Sequence, residues 1–455
     1  MDIYKAKSLL KNKILKLNTK KNDNIGIIRI SIKINDDLDP LVWLSMQDSD
    51  KKIYWKDREL NLVCAGIGEC IGIYGDNCTS YKKIFSEIRQ YLTSNTQIRF
   101  YGGMRFPYSR IDKNLWRDFG YYYFLVPLFE IIKNKQGTYL VCNIKTPVRN
   151  INDIIYELDK ITADIQSLNF SMNTRPMYFE YISKTHIPTI TQWEHDVTDM
   201  VEDIKNNKLI KIVLARQTIF QLKYKFDVFY FLMDKKWKKE KSYQLLIQLN
   251  PSVLFIGMPP ERIYFRNHRH IETEAIAGTR GRGRSENEDN ILSQELKNSD
   301  KELQEHRLVS NTLKHNISCF CSSINTEYQE NILRLSYMQH LYTKFSGTLL
   351  DGVSDDIIIS TLYPNAAIAG YPLEKALIRI KEVERFDRGW YSGPFGWISY
   401  DSAEFVVAIR SALIKDNFLY LYAGAGLVDG SDAENEWKEL DNKILNFSHI
   451  LKNAS

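Results

Sequence analysis

The sequence predicts an α+β fold in which antiparallel sheets pack face to face around a central site, with helices outside. Three observations lead there. Strand-like and helix-like runs are segregated along the 455 residues more than they alternate. The strand runs are joined by short connections, which favour antiparallel pairing. A hydrophobic fraction of 44%, with 12% aromatics, supplies a large core.

The elements follow in order. The N-terminal MDIYKAKSLLKNKILKLNTKKN reads as a basic, solvated first helix without the continuous apolar centre of a signal peptide. To about residue 150 the chain reads as short strands: IGIIRISIKI, KIYW, ECIGIYG, QIRFYGGMRF, YYFLVPLFEII and GTYLVCNI. Helical spacing there is confined to SYKKIFSEIRQYL. Residues 151–208 read as helical, through INDIIYELDKITADIQSL and TQWEHDVTDMVEDIKNNKLI, and lead into the strand KLIKIVLARQTIF at 208–220. Strands SYQLLIQL, SVLFIGM, RIYFRN and HIETEAIAG come next, then a charged helical region, NILSQELKNSDKELQEHRLVSNTLKHNI. GWISY, AEFVVAIRSALI and FLYLYAGAGLV complete the strands, and a last helix starts near Asp432. The chain thus divides into a sheet-rich portion, 1–150, and a larger portion, 151–455, expected to form one compact domain.

Bulk properties exclude several classes. A net charge of +5 on 61 basic and 56 acidic residues suits a small anionic substrate and is too weak for a nucleic-acid binder. The run GTRGRGR at 278–284 is followed at once by SENED, which cancels its charge. No apolar run reaches membrane-spanning length. The six cysteines form no CxxC pair, so free thiols in a reducing compartment are expected, the cytoplasm or, for an organelle, the plastid stroma.

Four sets of residues could carry chemistry. Lys211 opens a strand whose faces are Lys211, Val213, Ala215 and Ile212, Leu214, Arg216. Such a lysine is ordinarily solvated; facing a closed pocket it would be a general base. Glu261 follows Pro259 and Pro260 at a turn, where it is either an exposed glutamate or a rigidly presented acid. Glu302 with Glu305, and Glu436 with Glu439, lie three apart on helices, so each pair shares a face. Two solvated faces are one reading, a site for a hard cation such as Mg²⁺ the other. Arg410, placed on a strand apolar on both faces, needs a partner: a substrate carboxylate or a protein salt bridge. The small residues of AGAG, 423–426, and AGT, 277–279, allow close approach to the backbone.

Taken together, KIVLAR, PPER, TEAIAGTRGRG, DKELQEHRLV, YPNAAIAGYP, ERFDRGWYSGPFGW, EFVVAIRSALI, YAGAGLV and NEWKELDNK resemble the chorismate-utilising enzymes, most closely the isochorismate synthases. The resemblance spans roughly residues 190–450. LVWLSMQ, IYWKDRE and FYGGMRF are similar to the menaquinone and phylloquinone branch. It implies a fold like that of anthranilate synthase component I, with 151–455 as the chorismate-binding catalytic portion.

The resemblance further implies Lys211 as the base that activates water for attack at C2 of chorismate, and Glu261 as the acid that protonates the departing C4 hydroxyl. It implies Mg²⁺ held by Glu305 and Glu439, with Glu302 and Glu436 supporting through water. Arg410 and the backbone at Gly424 would receive the enolpyruvyl carboxylate. Lys443 would sit beside the metal end, and Gly278 and His340 would line the pocket. Ala367 and Ile368 match the water-using type that releases isochorismate; a salicylate synthase, which also eliminates pyruvate, tends to carry Thr-Ala there. Pro259 departs from the family's usual serine and bears on where Glu261 sits. The partner implied is the small molecule chorismate, without nucleic acid or membrane insertion. A monomer is compatible with the sequence, and a catalytically idle chorismate-binding relative is the alternative outside enzymes.

Overall fold

The computed structural model describes residues 1–453 apart from 18–25, 36–37, 95–96, 108–113, 148–149, 162–177, 235–236, 238–239 and 336. Among the described residues two sheets dominate. The larger, with 13 strands, runs in space from Gly26–Ile34 through Gly137–Thr146, Lys52–Lys56, Gln244–Asn250, Val253–Gly257, Ser411–Lys415 and Phe418–Leu427 to Lys211–Leu222 and Phe179–Ile187. The smaller, with nine, includes Met338–Leu349, His270–Gly281, Arg262–Asn267, Ser402–Val407, Pro394–Ile398 and Phe100–Met104. Pairing is antiparallel except where Leu451–Asn453 joins Phe179–Ile187. Each sheet takes strands from both sides of residue 150. The fold is α+β, as expected.

Period-2 patterning puts large apolar side chains between the sheets. Trp55 of the larger sheet stacks on Phe395 of the smaller with ring centroids 6.3 Å apart, and Tyr243, Leu245, Phe255, Trp390 and Leu413 belong to the same buried cluster. Helices cover the outer faces. Asp300–Ser318 turns Val309, Leu313 and Ile317 inward, and Ala433–Ser448 turns Leu440, Ile444 and Phe447 inward, each at three- or four-residue spacing. Among the described residues no helix is long and apolar enough to cross a membrane.

Several expectations need correction. The first helix, Ile3–Leu15, is not merely solvated: Ile3, Ala6, Leu10 and Ile14 make an apolar stripe buried in the core. Pro40–Ser45 is a short helix capped by Asp39, and Leu62–Ile67 is an additional strand. YYFLVPLFEII is two strands in different sheets, Tyr122–Val126 and Phe129–Asn134, separated at Pro127, whose missing N–H interrupts a ladder. Within 151–208 the helices Ile151–Lys160 and Ile190–Lys205 flank a strand, Phe179–Ile187; the rest of the first predicted helix, 162–168, lies outside the described residues. The charged helical region is two helices, Glu286–Asn298 and Asp300–Ser318, with Ser299 capping the second. A long hairpin, Cys321–Arg334 with Met338–Leu349, follows them.

EFVVAIRSALI is also two strands. Ser402–Val407 belongs to the smaller sheet and Ser411–Lys415 to the larger, and the chain crosses between them at Arg410, whose φ is +49°. Arg410 therefore sits at the crossing and not within a strand. The predominance of apolar residues on both sides of Arg410 reflects burial in two sheets in succession.

Candidate active site

The strand Lys211–Leu222 is paired on both edges, with Phe418–Leu427 along its length and with Gly370–Tyr371 at its start. Lys211 is consequently not a frayed strand end; its side chain is 1% exposed. It turns into a pocket between the sheets that every candidate residue lines: Glu261, Gly278, Glu302, Glu305, His340, Ala367, Ile368, Arg410, Gly424, Glu436, Glu439 and Lys443 are its neighbours there. Arg216 points to the other side, over the ring of Trp437 at 4.2 Å and donating to Asp441.

At one end lie the four glutamates. Helix Asp300–Ser318 supplies Glu302 and Glu305, and helix Ala433–Ser448 supplies Glu436 and Glu439. Lys211 Nζ donates to Glu305 Oε1 at 2.6 Å, and Lys443 Nζ is 2.6 Å from Glu439 Oε1. Burial pushes Glu305 up, but Lys211, with the charges of Lys443 and Lys301 behind it, outweighs that and holds the carboxyl below the usual range. Glu302 and Glu436 go the other way. Burial and then the charge of Glu305 raise Glu302, whose Oε2 accepts from the backbone N–H of Thr279 at 2.9 Å. Burial and then the charge of Glu439 push Glu436 up to about 7. Glu302 and Glu436 are thus raised first by burial and then by a neighbouring carboxylate, a repulsion that a divalent cation bound between the pairs would relieve.

Among the described residues no three His, Cys, Asp or Glu side chains converge into a ready-made cage. Mg²⁺ is ordinarily bound by one or two carboxylates, waters and an anionic substrate oxygen, so this donor set suits it.

Elsewhere on the pocket wall Arg410 reaches His340. Its Nη2 donates to His340 Nε2 at 3.1 Å, and His340 Nδ1 is 3.0 Å from Thr279 Oγ1. Burial, then the charges of Arg410 and Lys443, hold His340 well below the usual histidine value, so the ring is neutral and accepts at Nε2. Burial lowers the Arg410 guanidinium to about 10. The charge of Glu240 acts on it in the opposite sense, but among the described residues no carboxylate forms a salt bridge with it, and a buried guanidinium lining the pocket suits an anion.

Glu261 lies on the smaller-sheet side, following Pro259 and Pro260, whose turn precedes strand Arg262–Asn267. Its residue is 3% exposed and its Oε1 has no hydrogen-bond partner among the described residues. Burial pushes its carboxyl up to about 8, against the opposing hydrogen bond from Asn365. The carboxyl therefore carries a proton at neutral pH.

Small residues make the room. Gly278 has φ +75°, a conformation that favours glycine, and a Cβ there would meet Glu302 Oε2 at 3.3 Å. On strand Phe418–Leu427 the pairing with Ser411–Lys415 stops at Leu421, and the carbonyl of Gly424 accepts from Lys443 Nζ at 2.8 Å. AGAG is thus part of a strand, as its place in FLYLYAGAGLV predicts.

Comparisons with known proteins place the chain in a family. The model of the family described as "Chorismate binding enzyme" matches residues 12–452. The chain belongs to the chorismate-binding enzymes. It is 30% identical to the chloroplastic isochorismate synthase of Catharanthus roseus, over 94% of this chain and 81% of the relative, and 29% identical to isochorismate synthase MenF of Haemophilus influenzae, over 93% and 92%. The solved structure of MenF, the menaquinone-specific isochorismate synthase of Escherichia coli, superposes with a TM-score of 0.84 at 25% identity, covering 99% of this chain and all of that one. Anthranilate synthase component I of Streptococcus pneumoniae shares the fold, with a TM-score of 0.62 at 18% identity.

In this chorismate-binding enzyme the sequence reading missed Thr279, Lys301, Tyr391 and Asn365. The first three line the pocket, and Asn365 hydrogen-bonds Glu261. Tyr391 stacks on Tyr422 with centroids 5.2 Å apart. Tyr391 and Asn365 come from loops without periodicity; their presence inside quoted family blocks was the available signal.

Proposed function

We propose that this chain is an Mg²⁺-dependent isochorismate synthase, with Lys211 as general base and Glu261 as general acid on opposite sides of the ring. The observation that carries the reading is a buried lysine and a buried glutamate, whose Oε1 has no hydrogen-bond partner among the described residues, lining one pocket together with four further carboxylates and Arg410. Once the proton it holds against Glu305 has passed to solvent, Lys211 acts as the free amine and takes the proton from water as the water oxygen bonds to C2. The ring double bonds shift, the C4–O bond breaks, and Glu261 gives its proton to the leaving hydroxyl. One water enters and one leaves, so the net change is an isomerisation.

Arg410, beside neutral His340, binds the enolpyruvyl carboxylate and orients the ring between base and acid. Glu305 and Glu439 would hold Mg²⁺, with Glu302 and Glu436 bound through water. When bound, the ion supplies positive charge at the ring carboxylate and draws electron density from the ring. The similarity to menaquinone-type and chloroplastic relatives favours quinone biosynthesis as the product's destination. Six unpaired cysteines fit a reducing compartment, the cytoplasm or the plastid stroma.

The deciding experiment incubates purified protein with chorismate, with and without Mg²⁺, and separates the products by chromatography. Isochorismate formed only with Mg²⁺ is expected. Salicylate with pyruvate would overturn the stopping point attributed to Ala367 and Ile368; chorismate binding without turnover would make the chain an idle relative. The metal assignment has its own test: Glu439→Gln should move the Mg²⁺ titration of activity to higher concentration, and an unmoved titration removes Glu439 from the ligands.

A further inference from the structure

Glu261 owes its position to residues outside the pocket. Arg58 lies in the turn between strands Lys52–Lys56 and Leu62–Ile67, and Glu274 lies on strand His270–Gly281. Arg58 Nη1 and Nη2 donate to Glu274 Oε1 and Oε2 at 2.7 and 2.6 Å, a bidentate pair whose side chains are 9% and 1% exposed. Each partner also grips the backbone next to Glu261. Arg58 Nη1 donates to the carbonyl of Pro260 at 2.9 Å, and Glu274 Oε1 accepts from the N–H of Arg262 at 2.8 Å. These belong to the two peptide groups that flank Glu261.

We infer that Arg58 and Glu274 are positioning residues for the proton donor, a clamp that fixes the peptide groups on both sides of Glu261 and places a fixed negative charge beside it. The inference rests on the assignment of Glu261 as the acid. A buried ion pair can often be exchanged for apolar residues without loss of stability, so stability alone does not account for this one. Its contacts to Pro260 and Arg262 do, because a displacement of about 1 Å at a reacting group costs on the order of 10²-fold in rate. The turn of Arg58 is itself built to hold shape: Asp57 accepts from the N–H groups of Asn61 and Leu62 at 2.9 and 2.6 Å.

The electrostatics agree with the geometry. The groups acting on the Glu261 carboxyl are Asn365 from its loop, Lys211 from the opposite sheet and Glu274 from the adjacent strand. Of these, Glu274 favours retention of the proton, whereas Asn365 and Lys211 oppose it. Glu274 stays ionised despite its burial because Arg58 and Arg262 hold its carboxyl down, and Tyr342 also donates to it at 2.9 Å.

Two variants test the clamp. The Glu261 carboxyl is followed through pH by infrared difference spectroscopy against Glu261→Gln, which needs no turnover. In Glu274→Gln its midpoint should fall by about half a pH unit or more, since one like charge is removed; an unmoved midpoint overturns the electrostatic half of the inference. Arg58→Lys keeps the charge but loses the fork, so kcat should fall roughly tenfold or more while KM for chorismate and the Mg²⁺ requirement stay within about twofold. An unchanged kcat in folded Arg58→Lys protein overturns the positioning half. If the parent protein makes no isochorismate, the functional reading fails, and the carboxyl titration still decides the clamp.

Discussion

Lys211→Ala should abolish most of the turnover, by about 10²- to 10⁴-fold, and leave chorismate binding in place. In the proposed mechanism chorismate affinity, read by fluorescence titration, would depend on Arg410 and the metal end, and kcat on the base. A competing reading makes Lys211 only the counter-ion of Glu305, to which it donates at 2.6 Å. The two readings part on the metal. Without the ammonium, Glu305 loses its hydrogen-bonded partner and keeps only the charges of Lys443 and Lys301, so the variant should lose thermal stability without Mg²⁺ and recover part of it when Mg²⁺ is added. A pure counter-ion would give that rescue together with near-normal kcat at saturating Mg²⁺, and such a result would remove Lys211 as the base. Turnover that stays low at saturating Mg²⁺, with chorismate still bound, is the outcome the base requires.

The parts of the site that were legible in the sequence are those with a period. Glu302 with Glu305 and Glu436 with Glu439 each share a helical face because three residues make nearly one turn, and both helices are present and turn these faces into one pocket. Lys211, Val213 and Ala215 share a strand face for the same kind of reason. What escaped lacked a period or had two possible causes for one. The run at 403–414 is apolar apart from Glu404, Arg410 and Ser411 because its two strands are buried in successive sheets, and hydrophobicity does not mark the crossing at Arg410. The hairpin strand Cys321–Arg334 is an edge strand with most side chains in water and its register broken by bulges, so it offers neither alternation nor an apolar run. Arg58, Tyr391 and Asn365 lie in turns and loops, and only tertiary closure brings them near Glu261 and the pocket.

Glu261→Gln should separate activity from stability. The parent carboxyl, held up to about 8 by burial, carries a proton below that pH and has lost it above. The rate should therefore hold through neutrality and fall as the pH rises through about 8, a limb that belongs to the acid. Glutamine cannot donate that proton, so kcat should drop by about 10²- to 10⁴-fold and the alkaline limb should disappear from what remains. Stability should change in the opposite sense. A carboxyl whose folded value is raised favours the folded state fully below the ordinary glutamate value, and that contribution is lost progressively as the pH rises toward 8. Above 8 the parent holds a buried carboxylate whose Oε1 has no partner among the described residues, whereas the glutamine variant holds a neutral amide. Melting temperatures compared at pH 5 and pH 9 should show the variant gaining on the parent at the higher pH. A variant that is slow yet relatively stabilised in alkali is what a buried proton donor predicts. If the variant is slow but keeps the parent's alkaline limb, another group owns that titration; near-normal kcat would mean that the hydroxyl leaves with its proton from elsewhere.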